Sequence, residues 1–221
     1  FDALYYQAEK FPQEKSFVDK VNGEWKPIST QEMIRRGTEL SRGLIALGVK
    51  PGDKIAIIST NNRSEWVITD FAVMQIGGVD VPIYPTITPA DYKFIFNDAE
   101  VSYCFVSDEE LLAKVKEIKD EVPTLKEVYS FDQIEGCQNW SELSKKAEEV
   151  PEEKVKEISR QVKEDDLATL IYTSGTTGTP KGVMLSHKNI MSNAKASIER
   201  LPVNEDGTSL SFLPLCHVYE R

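Results

Sequence analysis

The stretch Pro51–Thr86, PGDKIAIISTNNRSEWVITDFAVMQIGGVDVPIYPT, decides the fold. KIAII is a short apolar run of strand length, and VDVPIY, from Val79 to Tyr84, is another. Between them the pattern predicts a helix over Glu65–Ile76, closed by the Gly77-Gly78 pair. Two short strands joined by a helix make a crossover unit, and a crossover makes the strands parallel.

The same alternation continues outward. Toward the start, Ser29 and Glu32 carry a capping-box signature, each able to bond the other's backbone N–H. Met33, Leu40, Leu44 and Leu47 follow near helical spacing, and Gly48 and Pro51 supply the stop. Trp25, in NGEWKPIS, is expected to pack a turn and short strand, and the tryptophans and most phenylalanines read as core. Toward the end, Thr88 caps a third helix with Pro89 at its first position, where a missing N–H matters least. VSYCFV is the next strand, Glu109–Lys119 the next helix and LKEVYSF a further strand. The fold class is therefore α/β, with alternating helices and a largely parallel sheet.

From Ser141 to Asp166 the composition turns to Glu and Lys, which reads as a solvated connector interrupted at Pro151. A subdomain boundary is expected near Lys163. Residues 1–163 then form the first α/β subdomain, and 164–221 begin an incomplete second one. No internal repeat is visible.

Bulk properties narrow the function classes. The 221 residues are 40% hydrophobic and 28% charged, the profile of a soluble globular chain. A net charge of −10 argues against nonspecific nucleic-acid binding and against a polybasic membrane anchor. No apolar run approaches the roughly 18 residues of a membrane span, and no secretory signal is visible. Cys104, Cys137 and Cys216 are odd in number and widely spaced, which suits buried thiols in a reducing cytoplasmic setting. The sequons at Asn62 and Asn139 are chance matches unless the protein is secreted.

The chemistry concentrates in LIYTSGTTGTPKGVMLSH, Leu170–His187. Leu167–Tyr172 reads as a buried strand and Gly182–Leu185 as a second, with a polar loop between them. Gly175 and Gly178 let backbone N–H groups approach a ligand, and Ser174, Thr176, Thr177 and Thr179 offer hydroxyls. Lys181 adds a full positive charge. Converging N–H groups, hydroxyls and an ammonium suit phosphate oxygens. The Walker pattern G-x-x-x-x-G-K-[ST] does not fit, because Pro180 precedes Lys181 and Gly182 follows it. The flanks also predict strand–loop–strand, with no helix N-terminus aimed at phosphate. A mobile Ser/Thr/Gly surface turn is the bland alternative.

The ordered string YTSGTTGTPKGV resembles the phosphate-binding signature of the AMP-forming adenylate superfamily, which includes acyl-CoA synthetases, luciferases and peptide-synthetase adenylation domains. Pro51–Thr86 is similar to a segment common to that superfamily. SLSFLPLCHVYER, residues 209–221, resembles the segment that follows the loop in long-chain fatty acyl-CoA synthetases. The resemblance implies that a fatty carboxylate attacks the α-phosphate of ATP, and that coenzyme A then displaces AMP to give a thioester. By the same resemblance Thr173, Ser174, Gly175, Thr176, Thr177, Gly178, Thr179, Lys181 and Gly182 cradle the ATP phosphates. Thr173 additionally matches a Mg2+ ligand, though a threonine hydroxyl is also ordinary hydrogen-bonding material. His217 matches a histidine near the reacting carboxylate and acyl pocket; a structural histidine is the alternative. His187, after the helix cap Ser186, is read as structural, because the first turn of a helix disfavours an imidazolium.

The adenine-binding segment, acidic Mg2+ ligand and C-terminal lid expected from the resemblance do not occur in these residues. The chain is therefore expected to be an N-terminal portion of a long-chain fatty acid–CoA ligase, inactive alone. A ligase for another carboxylic acid, or a non-catalytic truncated nucleotide-binding or regulatory module, are the alternatives. The resemblance allows a peripheral membrane contact in the parent, and uncovered apolar edges predict self-association.

Overall fold

The structure, a computed structural model, describes residues 1–173, 179–200, 204, 206–217 and 220. Helix α1 (Asp2–Lys10) leads into the hairpin β1 (Phe17–Val21) and β2 (Glu24–Ile28), turned at Asn22 and Gly23, both with positive φ. There follow α2 (Thr30–Ala46), β3 (Lys54–Ile58), α3 (Ser64–Gln75), β4 (Val79–Ile83), α4 (Pro89–Asp98), β5 (Val101–Val106), α5 (Glu109–Ile118) and β6 (Glu127–Ser130). A short β7 (Gln138–Asn139) precedes α6 (Glu142–Lys146) and α7 (Glu152–Ser159). Last come β8 (Leu167–Thr173), β9 (Lys181–Ser186) and α8 (His187–Ile198).

Among the described residues seven strands form one sheet in the order β7-β6-β5-β3-β4-β8-β9. Every pairing is parallel except β8 with β9. The expected α/β class with a largely parallel sheet holds. β3, β4 and β5 are buried on both faces, as crossover helices require. One face packs on α4 and α5 through residues such as Tyr92, Phe96 and Val115. The other packs on α2 and α3 through Met33, Leu40, Leu44, Trp66 and Ile68.

The helix signals resolve in different ways. Thr88 and Asp91 form a full capping box with Pro89 in the first turn, and Ser186 with Asn189 forms a second. Ser29 does accept the Glu32 N–H. The Glu32 carboxylate, however, turns to Arg35 and Arg36 instead of back to residue 29. Their guanidiniums, Arg35 foremost, hold its pKa down at about 2 against the opposing effect of burial. Helix α3 has no capping side chain of its own at Arg63; Asp19 of β1 receives the Ser64 N–H at 3.1 Å and its hydroxyl as well.

Trp66 is 1% exposed, whereas Trp25 stands 61% exposed with the Lys20 ammonium 5.4 Å from its ring centroid. Trp25 is thus not core: a two-stranded hairpin has too little apolar surface to bury an indole. The charged connector is docked rather than freely solvated. Leu143, Ala147 and Val155 are buried, and Arg42 Nε donates to Val150 O at 2.6 Å. Glycine at 43 makes the approach feasible, since a Cβ there would lie 2.3 Å from Leu143 O. Asn139 is buried with its amide bonded to three carbonyls, so that sequon is structural. Among the described residues no helix is long and apolar enough to cross a membrane.

Candidate functional site

In a parallel sheet the loops after the strands share one edge, and there ligands usually bind. β8 runs parallel to β4, with Asp80 opposite Thr169, so the polar loop leaves the sheet at that carboxyl edge. β9 returns antiparallel, placing Tyr172 opposite Gly182 and Thr173 opposite Lys181. Directly opposed residues share a face, so the Thr173 and Lys181 side chains rise together at the mouth of the loop. Both are exposed, as are Thr179 and Gly182. Ser174, Gly175, Thr176, Thr177 and Gly178 lie outside the described residues.

One residue back, Tyr172 faces the other way. Its hydroxyl donates to Asp98 Oδ2 of α4 at 2.6 Å. Burial first, and then the Asp98 carboxylate, raise the phenol pKa well above its ordinary value, so the proton stays in this bond. A Cβ at Gly182 would sit 3.1 Å from Tyr172 Cζ, so glycine there leaves room for the ring. The hairpin is thus tied to α4 on one face and presents Thr173 and Lys181 on the other.

His217 belongs to a turn in which its own N–H bonds Pro214 O at 2.8 Å, and its carbonyl receives the Glu220 N–H at 3.0 Å. The imidazole is exposed. Leu215 and Cys216 are buried beside Ser59, Trp66 and Ile83, at the carboxyl ends of β3 and β4. Burial pushes the Cys216 thiol up to about 12, which keeps it protonated near neutral pH. Three residues on from the Asp80–Thr169 pair, Ile83 comes level with Tyr172 on the neighbouring strand. The His217 turn and the mouth of the polar loop therefore share the carboxyl edge. His187 opens α8, edge-on to Phe1 at 5.7 Å.

Among the described residues no three His, Cys, Asp or Glu side chains gather as a metal site. A Mg2+ ion commonly takes few protein ligands and completes its shell with phosphate oxygens and water. Thr173, exposed at the loop mouth, is compatible with that kind of contribution and with no more. An open groove of about 530 Å³ runs along α4, lined by Ala90, Lys93, Phe94, Asn97 and Asp98. None of the predicted site residues lines it.

Two participants had no sequence signal. Asp98 acts on the loop through Tyr172 from 74 residues away, and Asn62 holds the segment before His217 from about 150. Both pairings exist only after the sheet has assembled.

A family model described as AMP-binding enzyme matches residues 4–221. The chain is 33% identical over 203 residues to long-chain-fatty-acid–CoA ligase FadD15 of Mycobacterium bovis, covering 91% of this chain and 34% of that protein. It is likewise 33% identical over 222 residues to a peroxisomal long chain acyl-CoA synthetase 6 of Arabidopsis thaliana, covering 92% of this chain and 31% of that one. The chain thus spans about a third of the length of these relatives. The crystal structure of ATP-bound MatB from Rhodopseudomonas palustris superposes with a TM-score of 0.76 at 24% identity, covering 99% of this chain and 41% of that one. At that identity the likeness speaks for the fold.

Proposed function

The chain belongs to the AMP-binding enzyme family, and on that premise we propose that it forms part of a long-chain fatty acid–CoA ligase and supplies its phosphate-binding loop. The observation that carries this reading is the opposed pair Thr173 and Lys181 at the carboxyl end of β8. A carboxylate attacking the α-phosphorus of ATP must approach a polyanion, with pyrophosphate as the leaving group. Charge developing on that group has to be met by fixed donors. Lys181 brings a full charge, Thr173 and Thr179 bring hydroxyls, and the loop between them brings backbone N–H groups and further hydroxyls. The Thr173 hydroxyl would be among the groups holding Mg2+, which when bound would offset phosphate charge. His217, on the same edge, stands on the side of the reacting acid. Coenzyme A thiol then displaces AMP and forms the thioester.

The acid is read as long-chain from the names of the two relatives. We also place a subdomain boundary near Lys163, where the Lys163 N–H bonds Asp166 Oδ2 at 2.8 Å in the turn before β8. The parent protein is read as cytoplasmic with peripheral membrane contact, and the exposed edge strand β9 as a route to self-association.

Pyrophosphate release with ATP, Mg2+ and palmitate tests the reading. The complete protein is expected to release it and the 221 residues alone are not. Lys181→Ala should lower kcat/KM for ATP by about 100-fold, the scale of losing one fixed donor to developing charge. An unchanged value removes the loop's role. A panel of acids with no preference for long chains would instead support another carboxylic acid as substrate.

A further inference from the structure

We propose that Asn62 is a positioning residue for the acid side of the site, holding the backbone that carries His217; this rests on the reading of His217 given above. Its amide nitrogen donates both hydrogens to one distant segment, to Ser211 Oγ and to Leu213 O, each at 2.7 Å. A primary amide has only two N–H bonds, so its donor capacity is fully committed to this contact. Leu213 is followed by the Pro214–His217 turn, so the bond pins the chain just ahead of the histidine.

The residues flanking Asn62 are firmly held. The loop between β3 and α3 stands where the sheet reverses its order, since β3 pairs with β4 on one side and β5 on the other. On one flank, Thr60 N bonds Ser107 Oγ at 3.0 Å and Thr60 Oγ1 bonds Asp108 Oδ2 at 2.8 Å. On the other, Arg63 forks onto Glu65, reaches Asp132 at 3.0 Å and lies 5.3 Å over the Phe131 ring. Burial opposes the Arg63 charge, but the two carboxylates outweigh it and raise its pKa.

Below the tether, Leu215 and Cys216 seat against Trp66 and Ile83 around a void of only about 10 Å³. That is at most room for one water, so the turn has little slack. A reacting group must be held to about half an ångström, and this crevice can do so for the residue after Cys216.

The test uses the complete protein and two readouts. Cys216 reports the tether: its alkylation, followed by peptide mapping, should accelerate at least about tenfold in Asn62→Ala, the scale of losing one such hydrogen bond. Cys104, buried in β5, should stay protected and shows that the fold is intact. Steady-state kinetics report the function: KM for the acid should rise about tenfold with KM for ATP unchanged. Asn62→Ala added to His217→Ala should then cost nothing further. Asn62→Asp keeps the shape but cannot donate to Leu213 O, and serves if the alanine variant misfolds.

Unchanged Cys216 alkylation overturns the tether. Faster alkylation with acid KM raised by His217→Ala alone overturns the positioning role while the His217 reading survives. Faster alkylation with neither variant altering acid KM removes the His217 reading and, with it, the positioning role.

Discussion

Strands β4 and β9 lie two places apart in one sheet and meet opposite fates. All five residues of β4 are buried, including the carboxylate of Asp80. In β9 the first four are exposed, with Met184 at 71%. Helices α3 and α8 repeat the contrast at equal length. Nine residues of α3 are buried and none of α8. The exposed member of each pair still carries apolar residues: β9 has Val183, Met184 and Leu185, and α8 has Ile190, Met191 and Ile198. Position in the layers accounts for the exposure of β9: β4 has a strand on each side and helices on both faces, while among the described residues β9 pairs with β8 alone. The centre of the sheet is where stability resides, and the β8–β9 margin is where Thr173 and Lys181 stand exposed.

Substitutions at the two places should differ accordingly. Trp66→Ala removes a buried indole and is expected to cost about 3–5 kcal/mol in urea unfolding, against no more than about 0.5 kcal/mol for exposed Trp25→Ala. Equal losses would mean that the hairpin, not the sheet centre, governs unfolding. Tyr172→Phe strips the tie between β8 and α4 and should cost about 1–2 kcal/mol, given that a carboxylate loses its donor. A null result there would place the margin's anchor elsewhere. Met184→Lys should change stability by less than about 0.5 kcal/mol yet reduce concentration-dependent association, read by size-exclusion chromatography, because a lysine guards an edge strand. Association that persists would shift the contact away from β9.

The smallest expected effect concerns acid. Glu32 titrates near 2 in the folded chain, below its unfolded value. Its contribution is therefore complete above about pH 4.3 and disappears as pH falls toward 2. The pair is largely solvated, so Glu32→Gln should flatten the acid limb by only a few tenths of a kcal/mol. A larger change in unfolding between pH 5 and 2 would mark Glu32 as more than a surface partner.

What the sequence revealed follows the reach of its interactions. Thr88 with Pro89, Ser186 before α8, and the strand length of KIAII are local features, and all fold as their spacing predicts. The hairpin around the polar loop was legible too, because Leu167–Tyr172 and Gly182–Leu185 are dense in apolar residues on either side of it. Glu32 escaped because Arg35 and Arg36 compete for its carboxylate more strongly than a backbone N–H. Trp25 escaped because hydrophobicity says what a side chain prefers, not whether a partner surface exists. The Asn62 and Asp98 contacts escaped because their partners are set by tertiary packing, which no local period encodes.

The clasp of the charged connector over α2 bears on how the chain is made. Arg42 finds Val150 only 108 residues later, and α2 rests on α6 and α7 as well as on α3. At ribosomal speeds of about 5–20 residues per second, that interval is roughly 5–20 s. Throughout it, one flank of α2 waits without its cover, and contacts of such long sequence separation form slowly even once both partners are present. A nascent chain stalled before residue 142 has emerged would expose that flank, and one stalled after residue 159 has emerged would not; the timing of the connector, more than the strength of any strand, would then govern when this half of the molecule is safe from aggregation.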